Sequence, residues 1–190
     1  MITSKKIVSG VLSIVTAAAL FSFELPAGWF KAGSKPNSYD MGTDKGAGKD
    51  GNNVATIKSV DKKIDGFGTL MQTSSAQKYL GQRVRMSASV KSKDVHQKAG
   101  LWLRVDGAGS KNYIAFDNMA DRPITGTSDW KQYEIVLDVP LNASKLAYGA
   151  LLRGTGQIWF DDIKFDIVDS TIGTTGLKEN KEPVNLNFEE

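Results

Sequence analysis

Residues 129–168, DWKQYEIVLDVPLNASKLAYGALLRGTGQIWFDDIKFDIV, constrain the fold of this chain more than any other stretch. Tyr133, Ile135, Leu137 and Val139 alternate with Gln132, Glu134, Val136 and Asp138. Pro140 and Gly154-Thr155-Gly156 supply turns. After Trp159-Phe160-Asp161-Asp162, the residues Ile163, Phe165 and Ile167 alternate again. Successive strand side chains point to opposite faces, so this stretch reads as three consecutive strands, the first and last with alternating faces.

The same period recurs upstream. Val54–Ile57 reads as a short strand, and Phe67, Thr69 and Met71 share one face of the next. Val84, Met86, Ala88 and Val90 alternate with Arg83, Arg85, Ser87, Ser89 and Lys91. Leu101, Leu103 and Val105 alternate with Trp102, Arg104 and Asp106. Turn signals bound these runs and no helical period competes with them, so the expected class is all-β, a sandwich or barrel. Residues 25–53 are rich in Gly, Pro, Asn and Asp and read as long loops. Residues 169–190 read as a polar tail. Its Asn187-Phe188-Glu189 echoes Ser22-Phe23-Glu24, which leaves three readings open: an added edge strand, the stub of a lost second copy, or a chance match. A chain of 190 residues is one domain by length.

Charge and cysteine content narrow the function classes. The 24 basic residues exceed the 21 acidic ones by only three and are scattered lysines, without the clustered stripe that a nucleic-acid partner needs. With no cysteine there is neither a disulfide framework nor a thiol nucleophile. The N-terminus has the layout of an export signal: Lys5 and Lys6, then the mostly apolar Ile7–Thr16, then Ala17-Ala18-Ala19. The expected arrangement is a signal peptide over 1–19, a β domain over 20–168 and the tail over 169–190. Cleavage after Ala19 removes Lys5 and Lys6 and takes the net charge from +3 to +1. The expected location is secreted or periplasmic, with no membrane span after cleavage; an uncleaved anchor and a buried first strand are the alternatives. The sequence sets no oligomeric state.

Catalytic motifs fail one by one. The single histidine, His96, sits in Lys93–Lys98, which reads as a polar loop, and no G-x-S-x-G elbow exists. Gly46-Ala47-Gly48-Lys49 lacks the earlier glycine and the Ser/Thr of a phosphate loop. Asp161 and Asp162 are adjacent on a strand and point to opposite faces, so they cannot flank one glycosidic bond. The expectation is a binding module, not an enzyme.

Strand parity selects the candidate binding residues. Trp159 and Asp161 share the parity of Ile163, Phe165 and Ile167. If that face is the core, Asp161 points inward and needs a partner. Two readings stay open: a hydrogen-bonded Asp, or a structural calcium ligand with Glu24 as a second carboxylate. Trp29, Trp130 and Trp159 are assigned to core or rim packing. Trp102 differs, because it faces away from Leu101, Leu103 and Val105, with Arg104 beside it. An aromatic ring stacks on the apolar face of a sugar while polar groups fix its hydroxyls, so Trp102 and Arg104 lead the candidates for a ligand site. Arg85, Asn112, Tyr113, Asn118 and Arg122 are further candidates.

Phe23-Glu24 with Gly28-Trp29, Gly68–Gln72, Asp129-Trp130 with Tyr133, and Trp159–Ile163 together resemble the carbohydrate-binding-module-like jelly rolls of the galactose-binding-like superfamily. More closely, Leu101–Gly107, Phe116–Met119, Arg122-Pro123-Ile124 and Asn185–Glu189 resemble an uncharacterised bacterial domain found secreted alone or fused to regulators and membrane sensors. The resemblance implies a jelly-roll β-sandwich of two antiparallel sheets. It also implies a carbohydrate or other small polar ligand and, at Asp161 and Glu24, a structural calcium. A sensory or structural interaction domain that binds a small molecule or a partner protein is the alternative. Resemblance of fold alone does not assign a ligand.

Overall fold

A computed structural model describes residues 22–109, 112–176 and 186. The described strands are β1 (Phe30–Gly33), β2 (Tyr39–Asp44), β3 (Val54–Ser59), β4 (Phe67–Ser75), β5 (Gln82–Gly107), β6 (Tyr113–Asp117), β7 (Ile124–Val139), β8 (Ala143–Arg153) and β9 (Gln157–Val168). All pair antiparallel. At 26 residues, β5 is long enough to serve two layers. Its first half lies between β7 and β9, and its second half lies between β8 and β6. One layer therefore runs β2-β3-β9-β5-β7 and the other β1-β4-β8-β5-β6. β5 turns from one layer into the other across Ser92–Ala99, where its register with β7 slips repeatedly and Asp94 takes φ 51°. The result is a jelly-roll β-sandwich.

The expected alternation builds the core. Val84, Met86, Ala88 and Val90 of the first layer pack with Leu101, Leu103, Val105, Leu146 and Leu152 of the second in one buried cluster. Aromatic rings tie the layers together. Tyr148 meets Phe165 edge-on at 4.8 Å, and Trp29 touches both Tyr148 and Phe160, at 6.1 and 5.9 Å. Each fully buried side chain of this size contributes about 1.5–3 kcal/mol of burial.

The structure corrects four expectations. In β9, Ile158 and Phe160 are the buried residues, so Trp159 and Asp161 do not point into the core. The cause is a bulge. Asp162 has φ 55°, and the register with β5 slips between Ser87 and Ser89, so one extra residue reverses the parity before Ile163 and Phe165. Residues 25–53 are not only loop, since they hold β1 and β2. The polar run around His96 belongs to β5; His96 is exposed at the corner and donates its backbone N–H to Thr155. The start of the polar tail is a strap. The Arg83 guanidinium binds Asp138 and donates to the carbonyls of Ser170 and Ile172, both at 2.6 Å. Thr175 then exchanges hydrogen bonds with the backbone of Val136, which explains why that outward residue is buried. The signal peptide expected over 1–19 and nearly all of the tail after Gly176 lie outside the described residues. Among the described residues no helix is long and apolar enough to cross a membrane.

Candidate binding cleft on the outer face of the second layer

The outer face of the β1-β4-β8-β5-β6 layer carries a cleft of about 360 Å³, within the size range of small-molecule sites. Sequence and register explain its floor. Opposite Trp102 on β8 stands Gly149, flanked on the same face by Ala147 and Leu151. With no side chain at 149, the Trp102 indole reaches across β8 to β4. There its Nε1–H donates to Thr69 Oγ1 at 2.8 Å, and the Thr69 hydroxyl donates on to the Ala150 carbonyl at 2.7 Å. Trp102, Ala147 and Leu151 form a buried cluster separate from the core, with Phe67 and Met71 against it. Trp102 is only 6% exposed. Its indole is thus a fixed floor with its one donor already used, and less of a free stacking platform than its parity implies.

Around this floor stand Phe67, Phe116, Asn118, Lys98, Arg104 and Arg153. Arg104 is held by Asp106 in a two-pronged pair, at 2.7 and 3.1 Å. Lys145 shares that carboxylate at 3.6 Å. Beyond Arg104 a second hollow of 260 Å³ is lined by Asn112, Tyr113, Ser144 and Lys145. The rings of Tyr113 and Phe116 lie 5.4 Å apart along the rim. Of the seven ligand candidates, Trp102, Arg104 and Asn118 therefore share one cleft, and Asn112 and Tyr113 line its neighbour. Phe116, Phe67, Lys98 and Arg153 escaped sequence reasoning. Lys98 and Arg153 look like surface charge until the register places them opposite each other. Phe67 was already on the correct face with Thr69 and Met71.

Arg122 has a different role. Its guanidinium meets Asp117 at 2.6 Å, Asp121 at 2.8 Å and the Glu134 carbonyl at 3.1 Å. Asp117 is 3% exposed and also accepts the Met119 N–H at 2.8 Å. Burial pushes the Asp117 carboxyl up, but the Arg122 guanidinium, the Thr175 hydroxyl and the Met119 amide outweigh it and hold the group below the usual carboxylate range. The pair fixes the β6–β7 turn, where Met119 sits at φ 55°, and so sets the position of Asn118 on the cleft wall. Arg122 is a positioning residue.

Arg85 lies on the other layer. It faces Glu134 and Asp166, each at 3.9 Å, across β5 from the cleft layer. Asp161 and Glu24 are not brought together. Glu24 bridges Thr43 on β2, and β3 separates β2 from β9. At strand spacing this leaves roughly 14 Å between Glu24 and β9. Glu24 pairs instead with Lys45 at 3.1 Å, and Asp161 accepts the N–H of Asp162. These two carboxylates do not fit one calcium ion. No three potential metal ligands converge among the described residues. Trp159 lies half-buried outside the first layer, donating to Asp44 at 2.8 Å under the Lys91 ammonium. Trp130 lies under Lys49 rather than in the core.

No family model matches the chain. An uncharacterised HTH-type transcriptional regulator of Bacillus subtilis strain 168, YbfP, is 43% identical to it over 168 residues, 86% of this chain and 57% of the regulator. The chain therefore spans less than two thirds of that relative. Among solved structures, the CBM22-1 xylan-binding domain of Paenibacillus barcinonensis Xyn10C matches with a TM-score of 0.53 at 14% identity, over 77% of this chain and 89% of that one. The enzymatically active domain of tailspike protein 4 from bacteriophage CBA120 matches with a TM-score of 0.56 at 11% identity, over 75% of this chain and 20% of that one. At such identities these likenesses establish the fold, that of a carbohydrate-binding-module-like jelly roll.

Proposed function

We propose that this protein is a non-catalytic binding module that takes carbohydrate into the outer-face cleft of the β1-β4-β8-β5-β6 layer. The carrying observation is the composition of that cleft. A rigid aromatic and aliphatic floor, Trp102 with Leu151 and Met71, is ringed by Phe67 and Phe116 and by the polar groups Arg104, Asn118, Lys98 and Arg153. Apolar surface suits the C–H faces of sugar rings, and a few placed donors suit their hydroxyls. The xylan-binding domain with the same fold supports this reading. The export-signal pattern of residues 1–19 supports action outside the cytoplasm, with a mature domain that starts near Leu20.

A second reading has an observation of its own: the 43% identity with a transcriptional regulator. On that reading the same cleft senses a small effector. A glycan array probed with residues 20–190 and with the Phe116→Ala and Arg104→Gln variants separates the two. Carbohydrate binding predicts an oligosaccharide that the wild type retains and both variants lose by about tenfold or more. No bound glycan, with a small metabolite raising the melting temperature instead, favours the sensor.

A further inference from the structure

The charges around the cleft narrow the class of ligand. Three of its lining residues, Lys98, Arg104 and Arg153, are cations, and no carboxylate among the described residues lines it. Arg104 is neutralised by Asp106 at the far end. The other two are not comparably matched. Lys98 on β5 and Arg153 on β8 are register partners, placed directly across from one another on the same outward face. Like charges directly opposite on antiparallel strands destabilise a sheet. Among the described residues Arg153 has one ion-pair partner, Asp65 at 3.5 Å, which is 98% exposed. So exposed a pair is worth little. Its Nε–H donates to Gln97, a neutral group. No ion pair to Lys98 is found among the described residues.

Two facing cations at one end of an aromatic-floored cleft make a seat for an anion. A guanidinium offers paired donors to a carboxylate or sulfate, and the ammonium adds a compact charge beside it. We propose that the ligand is an acidic oligosaccharide, whose anionic substituent lies between Lys98 and Arg153 while its sugar rings lie over Trp102 towards Phe116. This rests on the carbohydrate reading above and adds the charge of the sugar.

The test is calorimetric titration of the protein with four oligosaccharides of equal length: a uronic-acid oligomer, its methyl ester, the neutral parent and a sulfated parent. The inference predicts that the carboxylated or the sulfated sugar binds at least about tenfold more tightly than the neutral parent and the ester. Which of the two wins identifies the anion. That preference should weaken as salt is raised, because the rim cations are solvent-accessible. In the Lys98→Gln/Arg153→Gln double variant the acidic-to-neutral ratio should fall towards one, with the melting temperature recorded to show that the fold persists. Equal or tighter binding of the neutral parent overturns the inference and leaves the carbohydrate reading standing. Binding of none of the four overturns both. An acidic preference that survives in the double variant moves the anion elsewhere and also overturns it.

Discussion

Truncation of Trp102 tests whether the cleft floor is part of the scaffold. A tryptophan of this burial removes about 200 Å² from water, worth about 5 kcal/mol at 25 cal/mol per Å² as an upper bound. Trp102→Ala also ends the 2.8 Å hydrogen bond to Thr69. The vacated space opens to the cleft rather than into a sealed cavity, so water fills it. The expected loss therefore lies low in the range for large aromatic truncations, about 3 kcal/mol. For a domain of this size that lowers the melting temperature by roughly 6–12 °C. Trp102→Phe keeps a ring over Ala147 and leaves the Thr69 hydroxyl its acceptor, the Ala150 carbonyl. It should cost only about 1–2 kcal/mol. Thermal unfolding followed by far-ultraviolet circular dichroism reads both. An alanine variant that melts within about 2 °C of the wild type would show that the indole is a free platform and not a floor.

Three further outcomes follow from other sites. Asp117→Asn should destabilise by about 2 kcal/mol, below the range for a fully buried pair because Arg122 can regain water. Since the folded-state Asp117 carboxyl titrates below its ordinary value, its stabilisation is present above the unfolded value and is lost as pH falls through the folded one. Acid unfolding of the wild type should therefore show a loss that the Asn variant lacks, and identical acid profiles would contradict this. Gly149→Ala should cost about 1–3 kcal/mol in denaturant titration, because a Cβ there runs into the Leu70 carbonyl oxygen of β4; an unchanged midpoint would show that β4 and β8 yield easily. Tyr39, whose hydroxyl is raised to about 12 by burial, favours its neutral form in the fold. That contribution is intact below the unfolded value near 10 and fades as pH rises towards 12. Tyr39→Phe should flatten part of the alkaline loss of stability, and an unchanged alkaline limb would exclude it.

Much of the sandwich was legible because alternation reports one buried face directly. The inward sets of β5 and β7 follow from period two alone, and so does the outward placement of Trp102 and Arg104, whereas Leu146–Leu152 of β8 is apolar or small throughout and shows no period. Three things were hidden for physical reasons. The bulge at Asp162 reverses parity without changing composition, so an unbroken period of two places Trp159 and Asp161 inward. The bend in β5 runs through polar residues and looks like a loop, so Arg85 and Trp102 could not be assigned to different layers. The cleft itself is made by register. Gly149 lies opposite Trp102, and Lys98 opposite Arg153, only once β5 and β8 have paired. Local sequence carries the period of each strand and not its offset against the next.

Amide and indole chemical-shift mapping of the protein, titrated with array-selected oligosaccharides, locates the carbohydrate site residue by residue. If the outer-face cleft is that site, the largest shifts fall on Lys98, Arg104, Phe116, Asn118 and Arg153 and on the Trp102 indole N–H. Shifts centred instead on Trp130 and Trp159 across the other layer, or none with any oligosaccharide, would contradict it.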